Sequence, residues 1–260
     1  MVPGNTRWRR SPLAAPRRKQ IQQLEHSHKQ AAIASRLAAG HQPSYVRDFV
    51  YGGIDGAITT FAIVAGVVGA ALPAKVVLIL GLANLVADGF SMAASNYSGT
   101  KSVVDDVERI REIERRHIRA APEGEREEIR QILAQKGLEG ETLEDAVEAV
   151  TSDESTWVEM MVADEYGLSP NQSSPLHAAL ATFAAFFVCG AVPLVPFAIG
   201  LGDTIAISTA ATAVVFFVIG ALKSQWSLAP WWQSGLETLL IGSIAAALAF
   251  AVGYGFHEVG

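Results

Sequence analysis

Five long stretches that are almost free of charged residues constrain this chain more than any other feature of its sequence. They cover residues 56 to 74, 76 to 100, 178 to 202, 204 to 222 and 238 to 256. Each is near the roughly 20 residues that an α-helix needs to cross a bilayer. One small soluble domain cannot bury five such helices, so the sequence predicts an all-α integral membrane protein with five transmembrane helices.

Charge is distributed unevenly along the rest of the chain. Residues 1–47 contain nine Lys/Arg and one acidic residue, whereas residues 101–170 contain nine Lys/Arg and nineteen acidic residues. The positive-inside rule places the basic arm, Lys101 and Lys223 on the cytoplasmic side, and acidic residues weigh little in that rule. We therefore expect a cytoplasmic N-terminus and a cytoplasmic acidic segment. The arm can touch anionic lipid, and no nucleic-acid partner is expected.

These patterns divide the chain into four expected regions. They are a basic cytoplasmic N-terminal arm (1–45), transmembrane spans one and two (46–100), a helical cytoplasmic domain (101–172) and transmembrane spans three to five (173–260). We call residues 101–172 the insert. Within it, Pro122 is typical of the first turn of a helix, and Gly137 of the residue that follows one. Pro193 and Pro196 should kink the third span.

Two aspartates lie inside the predicted spans. A carboxylate at mid-membrane costs from roughly three to more than ten kcal/mol, so Asp55 and Asp88 are candidates for function. Between Asp48 and Lys101 the only basic residue is Lys75, at the edge of a span. Pairing with a base therefore does not explain these acids. Asp48 and Asp55 also fall on one stripe of the first helix.

The second span carries a stripe of oxygen and sulfur donors. Asn84, Asp88, Met92 and Ser95 recur at helical spacing. Such a stripe is a suitable lining for the path of a cation, and methionine favours softer metals over Mg²⁺ or Ca²⁺. A methionine is also a common filler of apolar cores, so Met92 alone has two interpretations.

Acidic side chains also recur at helical spacing in the insert. The candidates for metal ligands there are Glu108, Glu112, Glu125, Glu128 and the one-turn pair Met161 and Glu165. The pair again combines sulfur with oxygen. The alternative is a solvated acidic face, which is the commoner meaning of a Glu-rich helix.

Two further features bear on metal chemistry. The run Glu114 to His117 reads E-x-x-H, half of the motif of di-iron carboxylate bundles, but such sites need two copies and the insert has one. The single cysteine, Cys189, excludes an intrachain disulfide or a Cys-rich zinc site. No phosphate-binding loop occurs, which argues against an ATP-driven pump.

Three motifs together resemble the vacuolar iron transporter family. They are DFVYGGIDGAITTFAIVAGV, GLANLVADGFSMAASNY and, after the Glu-rich insert, WVEMMVADEYGL. The resemblance covers residues 48 to about 256. It implies a homodimer of five-span protomers, an ion path between the two copies of the first span, and exchange of Fe²⁺, often also Mn²⁺, for protons. It also implies that the insert collects metal and that no prosthetic group is needed.

The resemblance assigns roles to residues of the spans. Asp48 and Asp55 match the two acids of the family's first-span motif, and Met92 matches its second-span methionine. Plant-type members have a glutamate where this chain has Asn84. Here the acid lies one turn later, at Asp88.

In the insert, the resemblance assigns ligands to each helix. Glu125 and Glu128 match the glutamates of the second insert helix, and Met161 and Glu165 match the last ligand pair. Glu108 and Glu112 are the ligands expected from the first helix.

The sequence leads to one functional hypothesis and two alternatives. The hypothesis is a non-enzymatic, proton-coupled transporter that moves Fe²⁺, and possibly Mn²⁺, out of the cytoplasm, in a bacterial inner membrane. The first alternative is a membrane ferroxidase that uses Glu114 and His117, and the absence of a second E-x-x-H from the insert argues against it. The second is a non-transporting metal sensor, which would have no need of Asp55 and Asp88.

Overall fold

A computed structural model of the protein describes residues 27–39 and 43–257. The chain divides into two units, residues 1–42 and 43–260. In the first unit the structure describes one helix, α1 (Gln30–Ala39). Of the arm predicted over residues 1–45, residues 1–26 and 40–42 lie outside the described residues.

The second unit contains the five predicted spans, all helical. They are α2 (Val46–Gly69), α3 (Ala74–Ala120), the pair α7 (Pro175–Ala191) and α8 (Val195–Ile199), α9 (Thr204–Lys223) and α10 (Trp231–His257). Each is long and apolar enough to cross a membrane. The predicted all-α, five-span fold is confirmed, and the part of the chain that the structure describes contains no strand.

The second span continues far beyond the length of a membrane crossing. Helix α3 runs for 47 residues, which corresponds to about 70 Å at the rise of an α-helix. No proline occurs between Pro73, before the helix, and Pro122, after it. The polar half of this helix therefore forms the first helix of the insert, as the sequence predicted.

Three shorter helices complete the insert: α4 (Pro122–Gln135), α5 (Gly140–Thr151) and α6 (Glu154–Asp164). Pro122 occupies the first turn of α4, and Gly137 follows the helix with φ +91°, a conformation that glycine adopts without strain. Both predicted boundaries are confirmed. An apolar core of five buried residues joins the three helices: Ile129, Leu133, Val147, Trp157 and Met161.

A second apolar cluster attaches α6 to the long helix. It contains Val107 and Ile110 of α3 with Val158 and Val162 of α6. The insert is thereby packed directly on the helix that also forms the second span.

In the membrane part, the first span packs against the third at very short range. A side chain at Gly52 or Gly56 would collide with the backbone carbonyls of Thr182 and Phe186, respectively. Small residues permit this close approach of two transmembrane helices. The third span is interrupted by a 3₁₀ turn at Val192–Leu194, where Pro193 and Pro196 were predicted to kink it.

Candidate functional site

The most closely grouped metal-ligand atoms of the described residues lie in the insert. Ligand atoms of Glu114, His117 and Glu125 all lie within 4.8 Å of one another. His117 Nδ1 is 3.4 Å from Glu125 Oε1 and 3.9 Å from Glu114 Oε1. We call these three residues the insert cluster. Carboxylate oxygen and imidazole nitrogen are both ligands for Fe²⁺ and Mn²⁺.

The two carboxylates of the insert cluster are buried. Glu114 is 1% exposed and Glu125 is 5% exposed. Glu114 Oε1 accepts a hydrogen bond of 2.9 Å from the Tyr166 hydroxyl. The other oxygen of each carboxylate, Oε2, has no hydrogen-bond donor among the described residues. Buried acceptors without a donor are costly, and a cation or a proton would satisfy them.

The electrostatics of the cluster favour uptake of a positive charge. Burial, together with the charges of Glu128, Glu114 and Glu165, raises the pKa of Glu125 to about 7. Burial, Glu114 and Glu128 raise the pKa of Glu165 in the same direction. Glu128 and Glu165, which the sequence analysis expected to be metal ligands, are thus electrostatic neighbours of the cluster. Five ionisable groups, from two helices and the end of a third, share one small region.

The predicted first-helix ligands lie elsewhere. Glu108 and Glu112 are exposed, and their carboxylates pair with Arg115 at 3.4 Å and 3.8 Å. Glu108 also contacts Arg111 at 3.3 Å. The structure therefore does not bring Glu108 or Glu112 to the insert cluster. The buried acid of this helix is Glu114.

In the sequence, Glu114 was singled out only by the E-x-x-H run, and hydrophobic periodicity is the signal that would have placed it on the buried face. Val107, Ile110 and Glu114 are spaced by three and four residues, so they lie on one face of the helix. All three are buried. An acid that continues an apolar stripe is a candidate ligand, whereas Glu108 and Glu112 fall off that stripe.

Met161 lies in the apolar core of the insert. Its exposure is 0%, and its cluster contains Ile129 and Trp157. Met160 packs against the same cluster. The structure thus places the predicted sulfur ligand among apolar side chains, one helical turn before Glu165.

A second polar site lies where the first three spans meet, towards the insert. Asp48 of the first span accepts a hydrogen bond of 2.8 Å from the amide of Asn96 in the second. The same amide donates to Thr182 of the third span at 2.7 Å. Sequence analysis did not identify Asn96.

Asn84 joins the first two spans deeper along the second helix. Its amide donates to the hydroxyls of Thr59 and Thr60 at 3.2 Å and 3.3 Å. The contact that Asn84 makes between the two spans therefore consists of hydrogen bonds between uncharged groups.

Asp55 and Asp88 lie on adjacent spans and interact electrostatically. Asp55 is half-buried, whereas Asp88 is exposed on the surface of the single chain. Since this is a membrane-spanning helix, the exposed carboxylate of Asp88 needs surroundings other than lipid, either another protein surface or a water-filled cavity.

Met92 is half-buried and packs on the core of the spans. It also lines a cavity of about 430 Å³ on the side of the second span that leads towards the insert. The other lining residues are Tyr51, Ser95, Asn96, Gly99, Thr100 and Val103. Met92 thus contacts both the apolar core and the cavity, and the path-lining interpretation stays a prediction.

The fold and these sites define a multi-pass membrane protein with a carboxylate-rich helical insert. A family model described as the VIT family matches residues 46–254. Vacuolar iron transporter 1 of Arabidopsis thaliana is 32% identical over 210 residues, which cover 80% of this chain and 84% of that protein. Vacuolar iron transporter 1 of Eucalyptus grandis is 30% identical, with 91% and 94% covered. The vacuolar iron transporter of Toxoplasma gondii (strain ATCC 50861 / VEG) is 32% identical, with 80% and 73% covered.

The chain belongs to the VIT family, and the predicted resemblance is confirmed. Membership places it in a family of iron transporters that span membranes. The relatives just described are vacuolar proteins of plants and a parasite by name. They give no support to the expected bacterial inner membrane.

Proposed function

We propose that this protein is a homodimeric secondary transporter that moves Fe²⁺, with Mn²⁺ as a further substrate, out of the cytoplasm in exchange for protons. The observation that carries the proposal is the pair Asp55 and Asp88. The two acids lie on adjacent spans, close enough for the charge of one to act on the other. Between Asp48 and Lys101 the only basic residue of the sequence is Lys75. Divalent cations and protons are the partners that such acids accept.

The insert is the proposed site of ion collection. Glu114, His117 and Glu125 supply two carboxylates and one imidazole within 4.8 Å. Glu128 and Glu165 add negative charge beside them. We place Glu114 in the role that the sequence analysis gave to Glu108 and Glu112, because those acids already pair with arginine.

The spans are the proposed route through the membrane. Asp48 lies at the end nearest the insert, and Asp55, Asn84, Asp88 and Met92 follow along the first two helices. A cation leaving the insert meets Asp48 first, and then the Asp55 level. Carboxylates suit this role because each binds either a cation or a proton.

The exposure of Asp88 supports the proposed dimer. Ionisable residues in membranes face a protein interior or a water-filled cavity, because lipid cannot solvate them. In the single chain this side of the second span exposes Asp88 together with Ser91 and Ser95, which lie one and two helical turns further along the same face. A second copy on a two-fold axis would cover that surface and supply a matching set of acids.

The orientation rests on the basic residues. The arm, Lys101 and Lys223 place the N-terminus and the insert in the cytoplasm. The insert then faces the compartment from which the metal is taken.

The deciding experiment is uptake of Fe²⁺ and Mn²⁺ into proteoliposomes, with and without an imposed pH gradient. We expect gradient-dependent uptake by the unmodified chain and its loss in Asp55→Asn, which keeps the size of the side chain. Asp145→Asn, which changes an exposed acid of the insert, is the matched control and should transport normally. Equal uptake by Asp55→Asn and the unmodified chain would contradict the proposed path.

The two alternatives give different results in the same preparation. A ferroxidase would consume oxygen when Fe²⁺ is added, and a sensor would bind metal without carrying it. The insert cluster contains one E-x-x-H and a third ligand, which is a single-ion set rather than a pair of sites.

A further inference from the structure

Asn96 connects three spans through one side-chain amide. Its Nδ2 group donates to Asp48 Oδ1 at 2.8 Å and to Thr182 Oγ1 at 2.7 Å, and lies 3.3 Å from the carbonyl oxygen of Ala178. Its Oδ1 atom accepts a hydrogen bond of 3.2 Å from Thr100. The first span contributes a carboxylate to this network, whereas the third contributes a hydroxyl and a carbonyl.

The surroundings determine which way the amide points. An ionised carboxylate can accept hydrogen bonds but cannot donate them, so the NH₂ group must face Asp48. The Thr182 hydroxyl donates to Ala178 O at 3.0 Å, so it has a lone pair free to accept from the amide. Thr182 is 0% exposed, which makes it a rigid anchor for Asn96.

Asn96 also lines the cavity of about 430 Å³ that contains Met92. Its amide therefore holds one oxygen of Asp48 at the edge of the space through which an ion from the insert would enter. An amide is neutral and does not titrate near neutral pH. It can donate to Asp48 equally when that acid holds a cation and when it holds a proton.

We propose that Asn96 is a positioning residue for ion entry: anchored by Thr182 on the third span, it holds Asp48 Oδ1 and thereby aims the carboxylate at the incoming cation. This inference rests on the proposed function, in which Asp48 is the first acid of the membrane path. Asn96 itself acts through Asp48 and is not a ligand.

The test measures initial rates of Fe²⁺ uptake into proteoliposomes against Fe²⁺ concentration. Asn96→Ala should raise the concentration for half-maximal uptake by about tenfold, the size of effect found when a partner of a metal-binding carboxylate is removed. The maximal rate should change less, because later steps are untouched. Ser102→Ala, which removes an exposed hydroxyl on the same helix, should leave both values unchanged.

A second variant keeps the test informative if Asn96→Ala does not fold. Thr182→Val removes the hydroxyl that anchors the amide of Asn96. The side chain at position 182 keeps its size, and Asp48 is unchanged. We expect a shift in the same direction as for Asn96→Ala, and a smaller one. If both variants reach half-maximal uptake at the same Fe²⁺ concentration as the unmodified chain, the inference is overturned.

A double-mutant cycle separates positioning from general support of helix packing. In the background of Asp48→Asn, Asn96→Ala should have little further effect, because the group that it positions is gone. An equal effect in both backgrounds would show that Asn96 only joins the spans, and the inference would be wrong. If the unmodified chain carries no ion, the proposed function fails instead.

Discussion

The acids of the insert and the acids of the spans differ in how much of their surroundings one chain provides. Glu114 and Glu125 are almost fully buried within a single chain, beside His117 and the Tyr166 hydroxyl. Asp88 is instead exposed on the surface of the single chain, although it lies in a span. The comparison teaches that one chain encloses the acids of the insert, whereas it leaves an acid of the second span uncovered, and the proposed dimer would cover that acid.

The largest expected effect is the loss of transport in Asp55→Asn, which also separates the spans from the insert most sharply. Asp55→Asn should reduce transport by about 100-fold or more, because it removes a group that must hold the ion inside the membrane. Metal binding by the insert, measured by Mn²⁺ electron paramagnetic resonance on the protein in detergent, should not change. A parallel loss of Mn²⁺ binding would mean that the two regions are not independent.

The converse substitution is Glu125→Gln. Loss of this buried carboxylate should weaken Mn²⁺ binding by the insert on the order of 100-fold. Even removal of a group that is hydrogen-bonded to a metal ligand lowers metal affinity by about 10- to 100-fold. The maximal transport rate at saturating metal should change far less. Glu127→Gln alters the exposed neighbouring acid and is the matched control. Unchanged Mn²⁺ binding in Glu125→Gln would remove this residue from the proposed site.

The pH dependence of Mn²⁺ binding should be moderate. Because the pKa of Glu125 is raised to about 7, a proton must leave this residue before metal binds at lower pH. For one such proton, affinity should fall about tenfold from pH 8 to pH 6, and Glu125→Gln should flatten the dependence. An equally steep dependence in the variant would assign the proton to another group.

The metal-free protein should show the opposite trend in stability. The folded state raises the pKa of Glu125 above its ordinary 4.5, to about 7, so the folded protein holds this proton more tightly than the unfolded chain. The resulting contribution to stability is fully present below about pH 4.5 and is lost as pH rises through 7. Thermal unfolding in a chelator should therefore occur at a lower temperature at pH 8 than at pH 5.5, and added Mn²⁺ should reduce the difference.

A smaller effect is expected for Tyr166→Phe. The change removes the 2.9 Å hydrogen bond to Glu114 and leaves the ring in place. Mn²⁺ affinity should fall by about tenfold, as for other groups that orient a ligand. Because Tyr166 does not contact the spans' acids, transport at saturating metal should be close to that of the unmodified chain.

The smallest effect is expected for Glu108→Gln and Glu112→Gln. Both acids are exposed and paired with arginine, and exposed pairs contribute roughly 0 to 1 kcal/mol. Mn²⁺ affinity should change less than about twofold. A large loss in either variant would restore the sequence-based assignment of these residues and would count against Glu114.

Much of the fold was predictable because it depends on local chemistry. The apolar stretches determined five helices, since a backbone in lipid must form its hydrogen bonds within the segment. Pro122 and Gly137 determined the limits of α4 through their backbone preferences. Pro193 likewise marked the interruption of the third span.

The ligand set of the insert was less predictable because it depends on which helix face is buried. Acids at one-turn spacing mark several faces of the first insert helix equally well, and one-turn spacing together with the family resemblance favoured Glu108 and Glu112. Packing against Val158 and Val162 of α6 buries the face of Val107 and Ile110, and Glu114 continues that face. Sequence spacing gives the set of possible faces, whereas contacts with another helix select one.

The sequence by itself determined the class of protein, the number of spans, the polar insert and the presence of acids in the membrane, because all of these follow from the order and chemistry of neighbouring residues. Only the tertiary structure decided that Glu114 and His117 meet Glu125, and that Asn96 joins Asp48 to Thr182. Asp48 and Thr182 are 134 residues apart, and no local preference can encode such a contact. It exists because glycines in the first span let the third approach closely.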